Sequence, residues 1–60
     1  MSRIEVVFND GTFRAFPHVK ENTFIEKDGW IKFTFGKTGN HQAAINSANV
    51  NFMEEMEEAE

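Results

Sequence analysis

Across residues 23–35 the chain reads Thr-Phe-Ile-Glu-Lys-Asp-Gly-Trp-Ile-Lys-Phe-Thr-Phe, with β-forming residues on both sides of Asp28-Gly29. Beyond that dipeptide Ile31, Phe33 and Phe35 alternate with Lys32 and Thr34, the period-two signature of a strand with one buried face. Asp28-Gly29 suits a two-residue type I′ turn, because both central residues need positive φ, which Gly adopts freely and Asp tolerates. Such a turn sets the register: Lys27 opposite Trp30, Glu26 opposite Ile31, Ile25 opposite Lys32 and Phe24 opposite Phe33.

The same signals occur upstream. Residues 3–8 form a first strand with Ile4, Val6 and Phe8 on one face. Asn9-Asp10-Gly11-Thr12 then predicts a second two-residue turn, pairing Asn9 with Thr12, Phe8 with Phe13 and Val6 with Ala15. In that register Ile4, Val6, Phe8, Phe13 and Ala15 face inward, and Glu5, Val7, Arg14 and Phe16 face outward. Pro17, which has no amide hydrogen, should end the strand or lie on an edge. Downstream, the polar loop of residues 36–40 reverses the chain. Residues 42–46 form a short strand with Ala43 and Ile45 inward, and Asn46-Ser47-Ala48-Asn49 a tight turn or one turn of 3-10 helix. Residues 49–53 resume the alternation with Val50 and Phe52 inward.

Every connection is too short for a parallel crossover, so the expected fold is all-β: a small antiparallel meander of five or six strands. Curling, or closure into an open barrel, would shield Phe8, Phe13, Phe24, Phe33, Phe35 and Phe52. The expected domain covers residues 1–53, followed by a short acidic tail, residues 54–60. In the tail Met53 and Met56 could share one side of a short helix, but Glu beside Glu repels, so a solvated tail is expected.

Size makes the core matter. A 60-residue chain buries only about 60% of its unfolded surface, and without Cys it has neither a disulfide nor a thiolate metal site to help. Bulky core residues, here seven Phe and one Trp, and association with another copy are the remaining sources of stability.

The net charge of −4 is unevenly spread: Glu54, Glu55, Glu57, Glu58 and Glu60 hold five of the ten acids, leaving residues 1–53 with five acids against six bases. A nearly neutral body does not match the strongly basic footprint of a dedicated nucleic-acid binder. Absence of Cys suits a reducing compartment, and no apolar run approaches the ~20 residues of a membrane-spanning helix, so a cytoplasmic protein with no membrane association is expected.

Candidate chemistry is sparse. Gly36-Lys37-Thr38 ends like a phosphate-binding loop, but Ile31 stands where that loop needs its first Gly, and no helix follows. His18 and His41 have no neighbour at metal-ligand spacing, and Ser2 and Ser47 lack a nucleophile's setting. The paired carboxylates sit in the tail, where water screens them. The expectation is no enzyme, no catalytic residue, no metal and no cofactor.

What remains is the outward face of the two hairpins, where Val7, Phe16, Ile25 and Trp30 are interleaved with Arg14, Lys27 and Lys32. Three readings fit it: ordinary core, if the sheet curls over it; a homo-oligomer interface; or a platform on which Trp30 and Phe16 stack single-stranded nucleic acid, with Arg14, Lys32 and Lys37 on phosphates.

Val6-Val7-Phe8-Asn9-Asp10-Gly11, Asp28-Gly29-Trp30-Ile31-Lys32-Phe33 and the run from Ala43 through Val50 to Glu55 together resemble small β-proteins of bacteria and their phages, over almost the whole chain. That resemblance implies a compact β-domain and no particular activity. The run of residues 41–50 is also similar to the last strands of Sm-like RNA-binding barrels, although residues 3–8 read as strand where those proteins begin with a helix. The resulting expectation is a non-enzymatic, self-associating interaction or accessory factor of phage or prophage type that binds a host or viral protein. The alternative is a single-stranded nucleic-acid-binding barrel of Sm-like or OB-like kind.

Overall fold

The computed structural model describes residues 2–58. It is all-β, with strands β1 (Ser2–Phe8), β2 (Phe13–Val19), β3 (Ile25–Lys27), β4 (Trp30–Phe35), β5 (His41–Asn46) and β6 (Val50–Glu57). Single 3-10 turns at Glu21–Thr23 and Ser47–Asn49 lead into β3 and β6. All pairings are antiparallel, in two three-stranded sheets ordered β2-β1-β6 and β3-β4-β5. The end of β2 joins them: Lys20 N–H donates to the Thr34 carbonyl (3.0 Å) and Gly36 N–H to the Pro17 carbonyl (3.0 Å). The result is one strongly curled meander that does not close.

The second hairpin has the register its turn predicts, Ile25 with Lys32, Glu26 with Ile31 and Lys27 with Trp30. Asp28 (φ 54°) and Gly29 (φ 80°) are both left-handed, as a type I′ turn requires. Ala43 and Ile45 of β5 are buried, and Asn46 opens the following 3-10 turn by accepting from Ala48 N–H (3.0 Å). From the two sheets, Ile4, Val6, Phe16 and Val19 meet Ile31, Phe33, Ala43 and Ile45 in one core.

The first hairpin differs from expectation by one residue. Val7 pairs with Phe13 and Val6 with Arg14. The cause lies in the loop. Gly11 N–H donates to the Phe8 carbonyl and Phe8 N–H to the Thr12 carbonyl (both 2.9 Å), which makes a three-residue loop ending on Gly11 at φ 89°. Asp10 holds it closed, its Oδ1 accepting from Thr12 N–H (3.0 Å) and Thr12 Oγ1–H (2.7 Å). A one-residue slip moves every side chain to the opposite face. Phe16, expected outside, is therefore core at 5% exposure, and Phe13, expected inside, is 55% exposed.

β2 does not stop at Pro17. Ile4 faces Phe16 while Ser2 faces Val19, so Pro17 and His18 together oppose Arg3 in a β-bulge. His18 takes φ 54°, and its N–H donates to Glu58 Oε1 (3.1 Å). The extra residue returns Val19 to the interior, where it is fully buried.

A second irregularity, in β6, corrects the expected inward pair. Val7 faces Phe52 but Phe8 faces Val50, leaving Asn51 as the extra residue. Val50 and Met53 therefore pack against the core, while Phe52 turns outward at 56% exposure. Phe24, at 37%, is also more exposed than the curl predicted, although it stacks on Phe33 at 6.1 Å. The acidic segment differs too. β6 runs to Glu57, pairing Glu54 with Glu5, Glu55 with Ile4, Met56 with Arg3 and Glu57 with Ser2. The backbone ladder to β1 overrides the repulsion among neighbouring Glu side chains. The last two positions of the expected tail lie outside the described residues.

The register makes a test possible. Phe16→Ala should cost about 3–5 kcal/mol, most of the ~3–9 kcal/mol available to a chain of this length. Phe13→Ala should cost less than ~1 kcal/mol, as an exposed position does. Urea unfolding of the two variants checks this ordering, which the two-residue turn would have reversed.

Candidate interaction surfaces

The outward side of β3-β4-β5 follows from alternation. With Ile31, Phe33, Ala43 and Ile45 turned in, Trp30 and Lys32 of β4 turn out beside Ile25 and Lys27 of β3. Two cross-strand rows result, Lys27-Trp30-Asn46 and Ile25-Lys32-Ala44. No segment among the described residues folds over them. Trp30 is 44% and Ile25 56% exposed, so Trp30 is not core in this chain.

The outward side of β2-β1-β6 carries a second apolar row. Val7 lies between Phe13 on β2 and Phe52 on β6. The next row is Ala15, Glu5 and Glu54, with Arg3 Nε 2.9 Å from Glu5 Oε2. This face is therefore aromatic at one end and acidic beyond it.

The structure thus divides the outer face expected from sequence. Ile25, Trp30 and Lys32 stay together. Val7 belongs to the other sheet. Arg14 is exposed, with its guanidinium carbon 5.4 Å from the centre of the Phe16 ring. Phe16 leaves the surface altogether, because the three-residue loop rotates it into the core beside Phe33 and Phe35. Phe13 and Phe52 were missed as surface residues. Gly11 and Asn51 carried the only hints, and neither residue type announces a loop or a bulge by itself.

A cleft of about 940 Å³ opens where the meander fails to close, between β5 and the β1–β2 hairpin. Phe8, Phe16, Phe35, Trp30 and Arg14 are among the residues that line it. Both histidines have structural settings: His18 Nδ1 is 2.8 Å from Glu58 Oε1, and His41 stacks on Phe35 at 5.3 Å. Among the described residues no cluster of three or more His, Cys, Asp or Glu could hold a metal ion, and no buried side-chain polar atom lacks a partner. Among the described residues no helix is long and apolar enough to cross a membrane. No protein-family model matches the chain, and no curated protein or solved structure is significantly similar to it.

Beside the cleft, Asp10 holds its carboxyl below the ordinary aspartate value, mainly through the Thr12 backbone N–H and then the Thr12 hydroxyl. A carboxyl whose folded value is depressed stabilises the fold above its unfolded value and loses that contribution as pH falls through the folded one. Thermal melts of wild type and Asp10→Ala should therefore be furthest apart near neutral pH and converge below the ordinary value of 3.8. A gap that does not depend on pH would contradict this role for the carboxylate.

Proposed function

We propose that this protein is a non-catalytic interaction module that self-associates through the outer face of β2-β1-β6, an accessory factor of the kind its resemblance to small bacterial and phage β-proteins suggests. The observation that carries this reading is the Phe13-Val7-Phe52 row, whose two aromatic residues are 55% and 56% exposed in a chain of only 60 residues. Covering the exposed half of a Phe contributes about 1–1.5 kcal/mol. Two such rows face to face contribute about 5 kcal/mol, near the lower end of the ~4–15 kcal/mol that association costs. Self-association should therefore be weak and concentration-dependent.

Light scattering during size exclusion should give a mass that rises above 6.9 kDa with protein concentration. It should rise further with salt, because salt screens Glu5 and Glu54 against the same residues of the second copy. Phe13→Ser with Phe52→Ser should remain monomeric, and Trp30→Ala should associate as wild type does. A monomer at every concentration, or no effect of the Phe substitutions, would overturn the reading.

One observation favours a second reading: on the other outer face Trp30 is paired across the hairpin with Lys27 and followed by Lys32. Aromatic residues flanked by cations bind single strands by stacking on bases and pairing with phosphates. Under this reading an oligothymidylate quenches Trp30 fluorescence at low salt and the quench fades as salt rises. If fluorescence does not change at low salt, this reading fails.

A further inference from the structure

The strand-pairing pattern of β4 shows which backbone groups of β5 are unused. Thr34 accepts from Lys20 N–H (3.0 Å) and donates its own N–H to Thr23 Oγ1 (2.9 Å), so both its backbone groups point away from β5. Gly36 points the same way, to Pro17. Antiparallel pairs alternate between bonded and non-bonded. The bonded pairs of β4 and β5 are therefore Phe35 with His41, Phe33 with Ala43 and Ile31 with Ile45, and Ser47 N–H to the Gly29 carbonyl (2.8 Å) continues the series. Gln42 and Ala44 consequently direct their N–H and C=O groups to the free edge of β5.

That edge lacks the usual protection. Exposed edges are commonly blocked by charge, Pro, bulges or shortness. β6 carries Glu54, Glu55 and Glu57, and β3 is three residues long. β5 has six residues in unbroken register with β4 and contains no Asp, Glu, Lys, Arg or Pro. Its residues 42–46 line the open cleft together with Phe8, Phe35, Trp30 and Arg14. Among the described residues Arg14 has no ion-pair partner, and Asp10 on the same side is engaged by Thr12.

We propose that β5 and this cleft accept an extended peptide segment of another protein, which adds to the sheet beside β5 and places a carboxylate against Arg14. Strand addition matches the chemistry present: backbone groups at alternate positions give affinity, and the flanking surface chooses side chains. The bound segment turns alternate apolar side chains onto the half-buried Phe8 and Phe35, and the unpaired cation selects an acidic residue among the rest. This goes beyond the self-association proposed above and uses a different surface.

The test selects binders from a displayed library of random peptides about eight residues long, enough to span β5 at roughly 3.3 Å per residue. Enriched peptides should alternate apolar and polar residues and carry Asp or Glu. A selected peptide should bind Ala44→Pro about tenfold more weakly, since Pro removes an outward N–H without touching the ladder to β4. Arg14→Glu should weaken it severalfold, and the Phe13→Ser, Phe52→Ser double variant should bind it unchanged. Should Ala44→Pro fail to fold by circular dichroism, backbone N-methylation of the peptide asks the same question of the wild-type protein and should also cost about tenfold. No enrichment over the bare support, or binding indifferent to both backbone changes, would overturn the proposal. So would loss of wild-type self-association in Ala44→Pro, which would identify a second copy as the occupant of this edge.

Discussion

Phe16 meets Phe33 edge-on at 5.2 Å and Phe35 edge-on at 5.1 Å, and at this cluster the two halves of the molecule hold together. Each sheet has three strands and one apolar face, which it can bury only against another element. One aromatic residue from β2 closes the gap, and the bulge after it sends Val19 inward as well. Because β2 thereby bends toward β4, Lys20 and Pro17 reach Thr34 and Gly36, and the two sheets become one curl. The inside of the curl, the aromatic faces outside it and the cleft at its open side all follow from which side of β2 Phe16 occupies.

That position was the least legible part of the chain. Residues 23–46 were read well because Asp28-Gly29 accepts one loop length, and Ile31, Phe33, Ala43 and Ile45 alternate without interruption. Asn9-Asp10-Gly11 supports either a two-residue or a three-residue loop, and Asp10, by accepting twice from Thr12, selects the longer. Alternation could not arbitrate: Phe13 and Phe16 stand three apart, so one must face out in any regular strand. In β6 the bulge at Asn51 had no sequence signature and exchanged Phe52 for Met53 on the inner side. The acidic end is illegible for another reason: the repulsion among its Glu residues is local, whereas the backbone ladder that β1 offers to residues 50–57 is long-range. Of the expected site, Ile25, Trp30 and Lys32 survived because their hairpin did, while Phe16 was lost with its register.

Charge is unevenly spread over the surface, although the β3–β4 hairpin also carries the exposed acids Glu26 and Asp28. Acid is concentrated on β6 and its neighbour Glu5, where it guards one free edge and borders the Phe13-Phe52 row. Lys27 and Lys32 lie on the opposite sheet around Trp30, and Arg14 stands over the cleft. The two outer faces thus differ in the charges that border their exposed aromatic residues.

The account depends most on the side of β2 that Phe16 occupies, and nuclear Overhauser contacts among assigned aromatic rings read this directly. Cross-peaks from the Phe16 ring to Phe33 and Phe35, together with contacts from the Val7 methyls to Phe13 and Phe52, are the predicted result. Contacts from the Phe13 ring to the Ile4 and Val6 methyls, with Phe16 free of Phe33, would contradict it.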